Sequence, residues 1–271
     1  MEHPGTTWRI TRFDDIDSTN RWLAAEARAG RASHGDVAIA RHQHAGRGRM
    51  DRSWVAPPDS ALLMSALVRP SGAAERLERW HLVSLAMALA IADTVARLAD
   101  TVAGLGGRRA AVVPVRLKWP NDVIVPDRGD RKLAGILAEA VPPHGVVVGA
   151  GTNRMRPPSV DGVLAERAIW LSDIVGDSAA VPEADALAAL VLTRFGARLQ
   201  ELADDPAGLL GAYTASCATI GRRVRVELGG ATLEGVAVAV TAEGHLRVQS
   251  DMGGTHDVTV GDVVHVRSAA V

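Results

Sequence analysis

Apolar and polar residues alternate with two different periods along the first two thirds of the chain. Short alternating or continuous apolar runs predict β-strands, and longer runs with apolar residues three and four positions apart predict helices. The predicted strands are RITRFDDI (9–16), DVAIARHQ (36–43), ALLMSALVR (61–69), PVRLKW (114–119), NDVIV (121–125), KLAGILAEAV (132–141) and GVVVGAG (145–151). The predicted helices are RWLAAEARA (21–29), Glu75–Ala99 and Pro182–Ala203. Only turn residues separate the last four strands, so we expect them to pair as hairpins.

The pattern changes at about Thr219. Five short β-rich runs with glycine turns between them follow, RRVRVEL, ATLEGVAVAV, HLRVQS, THDVTV and VVHVR. Runs of this kind predict a small all-β barrel or sandwich. The expected fold class is therefore α+β, with a mixed β-sheet flanked by helices over residues 1–218 and a separate β-domain over 219–271.

Composition narrows the class of protein. The 271 residues carry a formal charge of −1, which argues against bulk electrostatic attraction to nucleic acid or to an anionic membrane. The N-terminus has no secretory signal pattern, and the most apolar run (81–99) is interrupted by Ser84, Asp93 and Arg97, as in a core helix. Cys217 is the only cysteine, so no intramolecular disulfide forms. We expect a cytoplasmic protein.

Lysine and asparagine are scarce and fall in motif-like strings. The chain has 30 Lys plus Arg, of which only Lys118 and Lys132 are lysines, and its only asparagines are Asn20, Asn121 and Asn153. The strings that hold them are DSTN, KWPND, RKLAG and GTN. A lysine retained where arginine is otherwise used indicates a need for a compact ammonium group.

The loop RHQHAGRGRMDRSW (41–54) concentrates positive charge in a flexible segment. Its glycines permit close backbone approach, and its arginines offer planar bidentate donors to a carboxylate or phosphate. This composition suits an anionic ligand whose binding orders the loop, although a solvated basic turn is the plain alternative. No GK[ST] follows, so the loop is not a Walker motif. His42 and His44 lack a clustered third ligand, which argues against a zinc site.

Five strings, STN, QHAGRGRMDRSW, KWPND, RKLAGIL and GAGTN, resemble in order and spacing those of bacterial biotin protein ligases. GDVVHVR resembles the last strand of that family's small SH3-like domain. The resemblance implies a class II synthetase-like catalytic domain followed by a C-terminal SH3-like β-barrel, in the short type without an N-terminal DNA-binding domain. Met50 and Asp51 depart from the family's usual loop, which has Arg and Gly there, and Trp170 stands near a position often held by Ser or Thr.

The resemblance implies a two-step reaction. Biotin and MgATP form biotinyl-5′-AMP, and biotin then passes to a lysine of a biotin carboxyl carrier domain of acyl-CoA carboxylases. Lys132 and Arg49 are the implied catalytic residues, and Mg²⁺ is held mainly through the ATP phosphates. The implied biotin-binding residues are Ser18, Thr19, Asn20, Gln43, Arg47, Gly48, Arg49, Lys132 and Gly135. The implied ATP- and adenylate-binding residues are Arg52, Trp54, Asn121, Asp122, Asn153 and Arg267.

Further expectations concern partners. A homodimer is compatible with the resemblance, and neither nucleic acid nor membrane is an expected partner. The C-terminal domain is expected to help complete the nucleotide site and to dock the carrier, through Arg267 and Asp262, unless GDVVHVR is merely an ordinary final strand.

Two other functions stay open. The nearest is a lipoate or octanoate ligase of the same fold, against which the hydroxyl and amide cluster of Ser18, Thr19, Asn20 and Gln43 favours the polar ureido ring of biotin. The other is a non-enzymatic nucleic-acid or regulatory module. Near-neutral charge and the absence of Phe, Trp and Tyr from residues 219–271 disfavour it.

Overall fold

The computed structural model describes residues 6–105, 114–160, 162–228, 231–259 and 261–265. Arg267 lies outside these ranges.

A seven-stranded mixed sheet forms the larger part of the molecule, in the order β1-β2-β3-β7-β6-β5-β4. Its strands are β1 (Arg9–Ile16), β2 (Asp36–Gln43), β3 (Ala61–Val68), β4 (Arg116–Lys118), β5 (Asp122–Val125), β6 (Arg131–Val141) and β7 (Gly145–Asn153). β1 and β2 are parallel because helix α1 (Thr19–Arg28) crosses between them, and the other pairs are antiparallel. The predicted hairpin pairing of the last four strands is confirmed.

Both faces of the sheet are covered. β3 is buried at every position. Leu62 and Met64 on one face join the main core under α2 (Leu82–Leu105) and α5 (Ala184–Asp204), whereas Leu67 on the other face packs with Leu23 of α1. The prediction of a mixed sheet flanked by helices is confirmed. The stretch Leu77–Val102 is long and apolar enough to cross a membrane, but 72% of its apolar window is buried inside the protein, as in a core helix.

The helix predictions need two corrections. The second predicted helix begins at Leu82 and not at Glu75, because residues 72–74 and 77–79 form 3₁₀ turns. There the Trp80 indole N–H donates to the Glu75 carbonyl at 3.0 Å, which removes that acceptor from an α-helical ladder. Helices α3 (Gly162–Arg167), α4 (Leu171–Val175) and α6 (Pro206–Ser216) were not predicted. α6 starts with Asp205 as N-cap and Pro206 in its first turn.

The β-rich runs form a five-stranded antiparallel sheet in the order β11-β10-β9-β8-β12. The strands are β8 (Arg223–Glu227), β9 (Thr232–Val240), β10 (Leu246–Ser250), β11 (Thr255–Val258) and β12 (Asp262–His265). Alternate residues of β8 and β10 are buried and the residues between them are exposed, the pattern of a sheet with one covered face. All five predicted runs are strands.

Candidate active site

One cavity of about 150 Å³ collects most of the predicted site residues. It lies where the start of α1, the loop after β2 and the strands β3, β5, β6 and β7 meet. The predicted residues that line it are Ser18, Thr19, Asn20, Gln43, Arg47, Gly48, Arg49, Arg52, Trp54, Asn121, Asp122, Lys132 and Gly135. Residues far apart in the sequence are therefore neighbours here.

One end of the cavity is a network of hydroxyl and amide groups. The Thr19 hydroxyl lies 2.7 Å from the Ser65 hydroxyl, and Ser65 donates to Asn20 Oδ1 at 2.6 Å. Gln43 Oε1 accepts the Thr19 backbone N–H at 2.7 Å. Ser18 lines the cavity and also caps α1, accepting from Arg21 N at 3.5 Å. These contacts fix the donors and acceptors of a buried polar pocket before any ligand arrives.

The other end is cationic. Lys132 Nζ lies 2.7 Å from Asp122 Oδ1 and 5.4 Å from the centre of the Trp54 ring. Arg49 Nη1 donates to Asn121 Oδ1 at 3.4 Å. Asn121 in turn donates to the Ile136 carbonyl at 2.9 Å, so β6 holds it in place. An ammonium and a guanidinium thus converge on one side of the cavity, where they can stabilise negative charge.

Glycines give these side chains their room. A Cβ at Gly135 would lie 2.8 Å from Lys132 Cε, and a Cβ at Gly151 would lie 2.4 Å from Trp54 Cε2. At Gly149 it would lie 2.1 Å from Asn20 Oδ1. In the structure they make room for Lys132, Trp54 and Asn20.

The basic loop folds as a short hairpin. Arg47 and Ser53 form an antiparallel bridge, and Gly48 N donates to the Arg52 carbonyl at 2.6 Å. Arg52 N donates to the Arg49 carbonyl at 3.2 Å, closing a turn whose central residues are Met50 (φ 53°) and Asp51 (φ 56°). Two successive left-handed residues define a type I′ turn, in which Asn-Gly is the favoured pair. The departures from the family loop therefore fall on its turn, in a conformation that suits glycine better.

Glu139 on β6 connects the loop to the polar pocket. Its Oε1 accepts from Arg47 Nη1 at 2.8 Å, and its Oε2 accepts from Asn20 Nδ2 at 2.9 Å. Glu139 and Ser65 were not predicted. Ser65 is the only polar residue of β3, and Glu139 follows the apolar run LAGILA of β6, so a serine in the middle of ALLMSALV was the available signal.

Asn153 is described but does not line the cavity, and the side chains of two other predicted residues are not described. Asn153 donates to the carbonyls of Lys132 (3.1 Å) and Ile169 (3.2 Å), so it fixes the strand that carries Lys132. Arg267 lies outside the described residues, and of Asp262 only the backbone is described. Gly261, immediately before β12, does line the cavity. The C-terminal sheet therefore reaches the site.

Trp170 is buried at the start of α4. The Arg156 guanidinium stacks 4.5 Å from its ring centre, and Asp173 holds that guanidinium with contacts of 2.9 and 3.1 Å. Trp170 thus has a packing role in a folded segment that follows the sheet.

The two histidines of the loop face one carboxylate. Their Nδ1 atoms lie 2.5 Å (His42) and 2.9 Å (His44) from the oxygens of Asp15, and these hydrogen bonds lower the pKa of the Asp15 carboxyl. Within the described ranges, no group of three or more His, Cys, Asp or Glu could hold a metal ion.

Comparison with known proteins identifies the family to which the chain belongs. The model described as the Biotin/lipoate A/B protein ligase family matches residues 13–153, and the one described as the Biotin protein ligase C terminal domain matches residues 219–266. A relative from Mycobacterium tuberculosis, named Biotin--[acetyl-CoA-carboxylase] ligase, is 39% identical, and the match covers 97% of this chain and 91% of the relative. The Escherichia coli relative, Bifunctional ligase/repressor BirA, is 29% identical over 94% of this chain and 73% of its own length.

Solved structures agree on the fold. The biotin protein ligase from Aquifex aeolicus in complex with biotin and ATP aligns with a TM-score of 0.75 at 22% identity, covering 96% of this chain and 99% of that one. The Leishmania major biotin protein ligase in complex with biotinyl-5-AMP aligns with a TM-score of 0.63 at 22% identity, covering 93% and 99%. The chain therefore belongs to the biotin/lipoate A/B protein ligase family and, within it, to the biotin protein ligases, with the family's mixed-sheet domain followed by its SH3-like C-terminal domain.

Proposed function

We propose that this cavity binds biotin and MgATP, forms biotinyl-5′-AMP, and then transfers biotin to a lysine of a biotin carboxyl carrier domain. The observation that carries the proposal is that one small cavity has a preorganised polar pocket at one end and cationic side chains at the other. Such a site fits a ligand that is neutral and polar at one end and anionic at the other.

The polar end suits the ureido ring of biotin, which has two N–H donors and one carbonyl acceptor. Thr19, Ser65 and Gln43 present hydroxyl and amide groups that can exchange hydrogen bonds with it. Asn20 is held by three contacts, to Ser65, Glu139 and the Leu137 carbonyl, so it serves chiefly to orient its neighbours. A lipoyl chain offers nothing to satisfy these groups, and leaving them unpaired would penalise its binding.

The cationic end suits the reacting groups. In the first step a biotin carboxylate oxygen attacks the α-phosphorus of ATP and pyrophosphate leaves. Two unit negative charges about 4 Å apart repel by roughly 4 kcal/mol at an effective dielectric constant near 20. Lys132 and Arg49 would offset that repulsion, with Arg47 and Arg52 as further cations on the loop.

In the second step the neutral amine of the carrier lysine attacks the adenylate carbonyl, AMP leaves, and the amine loses a proton. Asn121, Asp122 and Trp54 are proposed to stand on the nucleotide side with Arg52 and Arg267, and Asn153 to act there through the strand that carries Lys132. Gly48 and Gly135 let the backbone and Lys132 approach the ligand.

The division into residues 1–218 and 219–271 belongs to the same proposal. Gly261 brings the connection between β11 and β12 to the cavity wall, which supports a part for the second domain in completing the nucleotide site and docking the carrier. An acetyl-CoA carboxylase carrier is the proposed partner, as the name of the Mycobacterium tuberculosis relative suggests. The proposal also includes a homodimer, no nucleic-acid or membrane partner, and a cytoplasmic location, where a free thiol such as Cys217 stays reduced.

The test is transfer of labelled biotin to a purified biotin carboxyl carrier domain with MgATP. Omission of ATP and replacement of the carrier's acceptor lysine by arginine serve as controls. Label on the carrier only in the complete reaction supports the function, and an unlabelled carrier with active protein contradicts it.

Thermal shift separates the lipoate alternative. Biotin with MgATP should raise the Tm through mass action, whereas lipoate with MgATP should not. A larger shift with lipoate would assign the site to a lipoyl substrate.

A further inference from the structure

The C-terminal domain holds both ends of the chain segment that carries Asp122 and leads into Lys132. This segment runs from Trp119, directly after β4, to Asp130, directly before β6 and two residues before Lys132. Asp122 within the segment pairs with Lys132 beyond its end at 2.7 Å. The position of both ends therefore bears on how Asp122 and Lys132 face each other.

The first end is Trp119, which is buried. Its backbone N–H donates to Thr219 Oγ1 at 3.1 Å, and its indole N–H donates to the Gly244 carbonyl at 3.0 Å. Gly244 belongs to the turn between β9 and β10 and has φ 78°, and a Cβ there would lie 2.6 Å from Leu82 Cδ2. The turn is therefore seated tightly against the start of α2.

The second end is Asp130, which has φ 59°, two residues before Lys132. Asp130 Oδ2 accepts from Arg222 Nη1 at 2.6 Å and lies 3.1 Å from His265 Nδ1. Burial alone would raise the pKa of Asp130, but the hydrogen bonds from His265 and Arg222 hold it below its usual value. The carboxylate is thus an ionised anchor at a turn that non-glycine residues seldom adopt.

His265 closes the connection between the two ends. Its Nε2 lies 3.1 Å from Thr219 Oγ1, the same oxygen that accepts from Trp119, and its Nδ1 faces Asp130. Its side chain is 6% exposed. A continuous chain of hydrogen bonds therefore runs from the Trp119 backbone through Thr219 and His265 to Asp130.

We propose that Thr219, His265 and Asp130 are positioning residues for adenylate formation, holding the segment between Trp119 and Asp130 so that Lys132 keeps its place beside Asp122. The proposal rests on the activity proposed above. It assigns the C-terminal domain a part in the first chemical step, separate from docking the carrier.

The proposal predicts different effects on biotin affinity and on the rate of the chemistry, because the two depend on opposite ends of the cavity. The polar pocket at the other end of the cavity is built from α1, β2 and β3, which these residues do not touch. Breaking the chain should therefore lower the rate of the chemistry and leave biotin affinity unchanged. A contact that only stabilised the fold would lower the Tm and leave the rate constant of folded enzyme unchanged.

The test uses the full-length protein and a matched pair at one position. Thr219→Val removes the hydroxyl at nearly constant volume, and Thr219→Ser keeps it. We expect Thr219→Val to lower kcat for biotin-dependent ATP–pyrophosphate exchange about tenfold, the order expected when buried groups lose a hydrogen-bond partner. Thr219→Ser should restore most of it, with the same biotin Kd by calorimetry in both variants and in wild type.

Two further variants keep the proposal testable if Thr219→Val does not fold. Asp130→Asn preserves size and removes the anchor charge, and His265→Asn removes the titrating ring. Both should lower kcat at an unchanged biotin Kd. Normal kcat in the folded variants, with only a lower Tm, would overturn the positioning role. Absence of exchange in wild type would instead contradict the proposed function.

Discussion

Replacing Lys132 is the sharpest perturbation of the proposed chemistry. In the structure its ammonium lies 2.7 Å from Asp122 and stands over Trp54, facing the cavity that also receives Arg49. Lys132→Ala removes the compact cation nearest the proposed meeting point of carboxylate and phosphate. It also leaves the Asp122 carboxylate there without its partner, adding negative charge where the reaction already gathers it.

The magnitude follows from the repulsion that the cation offsets. If Lys132 offsets about 3 to 4 kcal/mol of the roughly 4 kcal/mol between the two anions, its loss slows adenylate formation about a hundred- to a thousandfold, since 1.36 kcal/mol is tenfold. Lys132→Arg should also fail substantially. The ammonium packs directly against Gly135, where an added Cβ would lie 2.8 Å from Lys132 Nζ, and a planar guanidinium does not reproduce a compact point charge in that position.

The assay is biotin-dependent ATP–pyrophosphate exchange, with biotin affinity measured separately by calorimetry. Lys118→Arg is the matched control, because Lys118 is the other lysine of the chain and does not line the cavity. We expect near-normal exchange for Lys118→Arg and strong loss for both Lys132 variants. Near-normal exchange by Lys132→Ala would refute the electrostatic reasoning.

Three further outcomes test the loop and the domain contact. Arg49→Gly removes a charge and adds flexibility, so we expect weaker biotin binding and release of adenylate, seen as biotinylation of bystander lysines; unchanged affinity without released adenylate would contradict this. Asp51 adopts a left-handed conformation that costs a residue with a Cβ about 1 kcal/mol, and Asp51→Gly removes that cost. Hydrogen exchange at the Gly48 amide should therefore slow about two- to fivefold. The same slowing in Asp51→Ala would attribute the effect to the lost charge instead. Burial lowers the pKa of His265, and the nearby charges of Lys118 and Arg222 lower it further, although the hydrogen bond to Asp130 acts in the opposite direction. Below about pH 6.5 the unfolded chain therefore binds more protons at this residue than the folded chain does. Wild type should therefore lose Tm as pH falls from 7 to 5, and His265→Asn should lose less; parallel curves would contradict the assignment.

The strands of the sheet could be predicted because their apolar periodicity and turn residues are local. The start of α2 could not, because the same apolar spacing continues through 75–81, where the side chains of Trp80 and Arg79 occupy backbone carbonyls. Only the folded arrangement shows that an apparently helical pattern is interrupted in this way.

The residues of the candidate site also fall into those that the sequence could predict and those that it could not. Lys132, Asn121 and the loop arginines are unusual in their surroundings or clustered, so the sequence identifies them. Glu139, Ser65 and His265 are ordinary residues within strands. They become significant only through contacts with partners far away in the sequence, 46 positions for the Ser65–Thr19 and His265–Thr219 pairs and 92 positions for Glu139–Arg47. Such contacts depend on sheet order and on how the two sheets meet, which a single sequence does not determine.

Glu139 ties the base of the basic loop to the polar pocket. Its two oxygens hold Arg47 of the loop and Asn20 of the polar pocket, so the base of the hairpin is tied to the site by a charged contact. Met50 and Asp51 lie at the opposite end of the hairpin, in the turn. Changes there alter the energy of the turn, and hence the ease with which the hairpin forms, but they leave the contacts of Arg47 and Arg49 in place. The departures should therefore change the rate of loop closure more than the chemistry that follows it.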